Sequence, residues 1–114
     1  MKRNAQVYVD DILECLERIE EYVEGWDVDD FEGNFQLQDS VIRRLEIIGE
    51  AAKNMPEEIK QKHSKIPWKK IAGTRDVLIH AYFGIDLGMI WKVVKDDLPI
   101  LKKEILKLKT ELKK

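Results

Sequence analysis

Eight apolar residues late in the chain, Leu87, Trp91, Val94, Leu98, Leu101, Ile105, Leu108 and Leu112, follow one another at alternating steps of four and three. That spacing lays a continuous apolar stripe along an α-helix, whereas a half-buried strand would alternate every second residue. A stripe of this kind must be covered by another element, and the preceding chain offers more helices to cover it. Asn4 is placed to cap a first helix to about Glu24, with Val9, Ile12, Leu16, Ile19 and Val23 on one side. Gly25 ends it, and the Asp- and Gly-rich stretch Trp26 to Asn34 reads as a loop. A second helix starts between Asn34 and Asp39 and reaches Asn54, burying Leu37, Val41, Leu45, Ile48 and Ala52. Within it Gly49, Ala51 and Ala52 make a small-residue patch suited to close helix packing, while Arg43 is expected to pair with Glu46 or Glu50 along the same helix.

Pro56 opens a short helix to His63, whose imidazole is expected to be a solvated cap. Ile66 and Pro67 start a central helix with Trp68, Ile71, Ala72, Leu78 and Ile79 on its apolar side, and Phe83-Gly84 ends or bends it. Asp86 caps the final helical region, where Pro99 predicts a kink, or a restart capped by Asp96 or Asp97, with the apolar register kept. No strand-like alternation or internal repeat occurs. The expected fold is all-α: an antiparallel four-helix bundle with one extra short helix, forming a single domain over residues 1–114.

Composition narrows the chemistry. No apolar run exceeds three residues, so no membrane span is expected and the protein reads as soluble and cytoplasmic. The single cysteine, Cys15, excludes an internal disulfide and a cysteine-rich zinc site; beside the first apolar stripe, with no basic neighbour in sequence, it reads as a half-buried inert thiol. Two histidines, His63 and His80, without a zinc-protease spacing, make a metal site an unsupported reading. The net charge of −2 hides an uneven distribution: residues 10–32 carry eleven acids and one base, whereas residues 60–70 carry five lysines and no acid. A nucleic-acid surface is therefore expected only locally, in the middle of the chain. The lysine-rich tail reads as a solvated face. Trp26, Trp68 and Trp91 read as core or dimer contacts before base-stacking groups.

Arg75, Asp76, His80 and Tyr82 fall within eight residues of the central helix. Asp76 and His80, at i and i+4, differ by about 40° and one turn, so a carboxylate there can hold the imidazole in one tautomer. Arg75 and His80 lie about 140° apart and about 7.5 Å along the axis, bordering a groove, and Tyr82 returns to nearly the azimuth of Arg75. Guanidinium, imidazole and phenol on one groove suit a phosphate-containing substrate, because Arg pairs with phosphate oxygens and His transfers protons near neutral pH. An ion-pair cluster on a solvated face is the competing reading. Gly73 within the same helix suggests close approach by a backbone or ligand.

The sequence Arg75-Asp-Val-Leu-Ile-His80-Ala-Tyr82, with DSVIRRLEIIGEAAK from Asp39, IPWKKIAG from Ile66, YFGID from Tyr82 and DLP from Asp97, resembles the HepT-like branch of the HEPN superfamily. The resemblance covers nearly the whole chain, less clearly its first 35 residues. It implies an RNA-cleaving toxin of a toxin and antitoxin pair, a homodimer whose two motifs face one cleft, cutting RNA without a metal and needing no cofactor. His80 would then be general acid or base and Arg75 would stabilise phosphoryl charge. Tyr82 would be the tyrosine that a minimal nucleotidyltransferase antitoxin modifies with AMP. Lys69, Lys70, Arg43 and Arg44 are the local candidates for RNA phosphate contacts. The family has a polar residue, often Asn, after the motif Arg; Asp76 stands there instead, and either orients His80 or weakens RNA binding. The alternative is a non-catalytic nucleotide- or partner-binding subunit of a nucleotidyltransferase complex, since membership of a fold family does not prove activity.

Overall fold

The computed structural model describes residues 4–80 and 84–113; the side chains of Ile79 and His80 lie outside that description. Helix α1 runs Ala5–Val23, and its cap forms as expected, with the Asn4 side chain accepting from the Val7 N–H. Gly25 follows at φ +78°, a left-handed conformation open to glycine without strain.

The stretch expected to be a loop contains helix α2, Val28–Glu32. Its aspartates make a capping box: Asp27 accepts from the Asp30 N–H at 2.9 Å, and Asp30 accepts from the Asp27 N–H at 3.0 Å. Residues that favour loops in isolation are here the start signal of a one-turn helix, which Phe31 anchors by complete burial. Buried Gln38 locks the far end, donating to the carbonyls of Phe31 and Glu32 at 2.9 and 3.1 Å. The last carbonyls of a helix lack intrahelical partners, and Gln38 supplies a donor to two of them.

Helix α3, Phe35–Asn54, starts at the early end of the expected range, where the Asn34 side chain accepts from the Leu37 N–H, and α4, Glu57–Lys62, follows Pro56. His63 ends α4 but is not a solvated cap: its Nε2 lies 2.9 Å from Glu111 Oε2, its side chain is 18% exposed, and its carbonyl accepts from the Trp68 indole. Helix α5 is Trp68–His80, and Gly84 beyond it has φ +79°. Phe83, named with it as the stop, lies outside the described residues.

Asp86 caps α6, Leu87–Lys92, by accepting from the Met89 N–H. The helix then passes through a π turn, Val93–Asp97, into α7, Leu98–Leu112. At Pro99 the helix continues without the carboxylate-capped restart offered as one alternative. Asp97 occupies the cap position of α7 without a side-chain bond, and the Leu98 N–H donates to Val93 O, one residue further back than in an α-helix. Such a turn adds about one residue, rotating the downstream face by about 100°. Before it, Trp91 packs on Phe31 of α2 with ring centroids 5.3 Å apart; after it, Leu98, Leu101, Ile105 and Leu108 are buried and α7 lies along α1.

The architecture is an antiparallel four-helix bundle of α1, α3, α5 and the α6–α7 helix. Two short helices, α2 and α4, are attached where one was expected. Lys109 pairs with Asp10 and Lys102 with Glu20, so α7 runs opposite to α1. The core joins the stripes of all four, from Val9, Ile12 and Ile19 to Val41, Ile48, Leu78 and Ile105. Trp68 is buried and Trp91 partly so, whereas Trp26 is exposed. No helix among the described residues is long and apolar enough to cross a membrane.

Candidate active site

The α3–α5 contact positions the site, and one glycine makes that contact possible. A Cβ added at Gly49 would stand 2.3 Å from the Cβ of Arg75 and 3.1 Å from the carbonyl of Ile71. The small-residue patch expected on α3 is thus the seat of the Arg75 stem. Gly73, by contrast, has nothing within 4 Å, so no described backbone approaches it.

From this seat the Arg75 guanidinium is held along one edge. Its Nε lies 3.1 Å from Glu50 Oε2, and its Nη1 lies 3.1 Å from Asp76 Oδ1. The side chain is 27% exposed, which leaves each pair partly screened and worth at most about 1 kcal/mol. Their main effect is orientation: the two carboxylates fix where the guanidinium sits, and its planar fork suits an anion. Of the two partners expected for Arg43, Glu46 or Glu50, the structure supplies Glu46. Arg43 meets only Glu46, at 3.7 Å, because Glu50 turns to α5 instead.

Asp76 therefore serves Arg75. Its expected hold on His80 involves a side chain outside the described residues, although the backbone of His80 completes α5. Tyr82 lies outside them altogether. Of the cationic candidates, Lys69 and Lys70 border an open cleft that also includes Ala72, one turn before Arg75. Arg43 stays on the exposed side of α3. Arg44 faces α1: Cys15 and the Tyr22 hydroxyl accept from it, which raises its pKa further above the ordinary guanidinium value. Cys15 is fully buried rather than half-buried, and a basic neighbour invisible in the local sequence stands beside it. Burial nevertheless dominates and raises the thiol above its ordinary value, so Cys15 stays protonated and inert. Among the described residues no three His, Cys, Asp or Glu side chains converge to hold a metal ion.

Residue-by-residue reasoning missed Glu50 and Gly49 as the positioning partners of Arg75. The available signal was the small-residue patch, since close backbone approach brings a neighbouring carboxylate within reach of the facing helix.

Comparison with known proteins bears on this arrangement. A family model described as "Ribonuclease HepT-like" matches residues 12–108. A Methanocaldococcus jannaschii protein, whose name joins a gamma-glutamylcyclotransferase to a provisional RNase, is 54% identical over 114 residues, 100% of this chain and 51% of its own length. The chain thus spans about half of that relative. A Thermococcus cleftensis protein provisionally named ribonuclease HepT is 49% identical over 109 residues, covering 96% of this chain and 99% of that one. A Caldanaerobacter subterraneus subsp. tengcongensis protein with a provisional RNase name is 46% identical over 98 residues, 86% of this chain and 88% of its own. No solved structure matches.

Proposed function

The chain belongs to the ribonuclease HepT-like family, and from that premise we propose that it is a metal-independent endoribonuclease toxin, active as a homodimer and silenced by a nucleotidyltransferase antitoxin. The observation that carries this reading is that the matched span contains Arg75 and His80 on one helix, with the guanidinium held in place by two carboxylates. That arrangement suits a phosphoryl group whose charge grows during reaction.

In the proposed reaction the ribose 2′-oxygen attacks the adjacent phosphorus and the 5′-oxygen leaves, giving a 2′,3′-cyclic phosphate and a 5′-hydroxyl. His80 of one copy accepts the 2′-hydroxyl proton, and His80 of the other donates a proton to the leaving oxygen. Arg75 stabilises the phosphorane oxygens. The strip of α5 beside the motif supports a paired arrangement: Gly73 is uncovered, Val77 one turn on is 58% exposed, and position 80 follows on the same side. Silencing would proceed by attack of the Tyr82 oxygen on the α-phosphorus of ATP held by the antitoxin, releasing pyrophosphate. The added anionic group then occupies the place of an RNA phosphate beside Arg75 and repels it.

The test is cleavage of labelled RNA by unmodified protein in excess EDTA, with His80→Ala alongside and the intact mass of each protein recorded. Cutting to 2′,3′-cyclic ends that is lost in the variant is the expected result. An absence of cutting by protein whose mass shows Tyr82 unmodified would overturn the nuclease reading in favour of a binding subunit.

A further inference from the structure

Beside Arg75 lies an open cleft of about 890 Å3 formed where the end of α3, helix α4 and the first turns of α5 meet. Four lysines line it, Lys53, Lys60, Lys69 and Lys70, against one carboxylate, Glu57. They come from three different helices, so the cluster is made by the tertiary fold. The Lys60 ammonium is tethered at 3.1 Å to the backbone carbonyl of Lys53, which holds that cation at the end of α3.

These lysines differ from Arg18, Arg43, Arg75, Lys102, Lys107 and Lys109, each of which has a carboxylate within ion-pair distance. Among the described residues, no carboxylate lies within that distance of Lys53, Lys60, Lys69 or Lys70. Like charges gathered in a concavity and left uncompensated raise its potential and attract a polyanion. The cleft also leads to the site. Ala72 lines it, and Arg75 and Asp76 follow three and four residues later on α5, about 4.5–6 Å further along the axis.

We propose that this cleft is the track for the single-stranded RNA flanking the scissile phosphate, with Lys53, Lys60 and Lys69 each neutralising one backbone phosphate. The proposal rests on the ribonuclease reading and deepens it: Arg75 meets the reacting phosphate, and the cleft supplies affinity for the strand on the α4 side. It adds Lys53 and Lys60 to the substrate surface and leaves Arg43 and Arg44 outside it. Its cations meet phosphates, which carry no sequence information, so their contribution is affinity for RNA strands.

The experiment measures binding of a fluorescein-labelled single-stranded RNA carrying 2′-O-methyl riboses, which cannot be cut, as a function of salt. Removing one lysine that neutralises a phosphate should reduce the slope of log K against log salt by about 0.7. The triple variant Lys53→Gln, Lys60→Gln, Lys69→Gln should therefore bind with a slope shallower by about 2. The corresponding triple Lys→Arg variant should keep the original slope. A charge-matched triple on α7 and its C-cap, Lys103→Gln, Lys107→Gln, Lys113→Gln, should also keep it. Equal slopes for the cleft and α7 glutamine variants would overturn the track. Binding through the cleft by a protein that cuts no RNA would sustain the track and overturn the nuclease reading; a protein that binds no RNA overturns both.

Discussion

Arg75 acquires its chemistry from what sits under and beside it. Gly49 leaves space for its stem, while Glu50 and Asp76 hold two of its nitrogens. Gly49→Ala must push α3 and α5 apart or displace Arg75, because the nearest obstacles are a side-chain stem atom and a backbone carbonyl. We expect a loss of about 1–3 kcal/mol in urea unfolding, together with loss of RNA cutting. Asp76 acts differently. Asp76→Asn keeps an oxygen for Nη1 and removes a negative charge from the path of the substrate. A surface charge near a phosphate opposes binding by about 1 kcal/mol, so KM for RNA should fall about fivefold with kcat little changed. An unchanged KM would show that Asp76 does not face the substrate.

Among the elements, the π turn between α6 and α7 resolves a conflict. Pro99 cannot donate to Lys95 O and would crowd it in a regular α-helix, yet the apolar stripe runs through this point without a gap. Shifting the Leu98 N–H to Val93 O widens the turn and lets each half face a different partner, α2 before and α1 after. Pro99 then occupies the first turn of α7, where a missing N–H costs little. Pro99→Ala should accordingly change the unfolding free energy by less than about 1 kcal/mol, against about 3 kcal/mol for relieving a proline inside a regular helix. A stabilisation near the larger value in a chemical denaturation curve would mean that the turn is strained.

At the level of the molecule, the uneven charge of the chain is divided between structure and function. Lys102 and Lys109 of the basic tail reach Glu20 and Asp10 of acidic α1, so part of each excess serves to pair two helices. The lysines between α3, α4 and α5 outnumber the one carboxylate of their cleft, Glu57, four to one. On the proposed dimer, residues of both copies share one cleft. Mixing wild-type protein with His80→Ala should then lower cleavage more than in proportion, because the proposed reaction needs His80 from both copies and a mixed dimer keeps only one. The initial rate should fall as the square of the wild-type fraction, and a linear fall would argue for a site contained within each chain.

The local sequence determined the helices and most of their ends, because apolar spacing and side-chain caps act within one turn: Asn4, Asn34 and Asp86 each accept the expected backbone N–H. It also carried the Arg75 and His80 pattern, since residues four and five apart on one helix keep fixed relative positions. It misled at Asp27–Glu32, where aspartates that favour loops form a capping box once Phe31 has a core to enter. Tertiary structure alone decided that Glu50 meets Arg75 instead of Arg43, that Arg44 turns to Cys15, that His63 clasps Glu111, and that four lysines from three helices share one cleft. Each is a through-space contact between side chains far apart in the chain, and its geometry depends on how closely two helices pack.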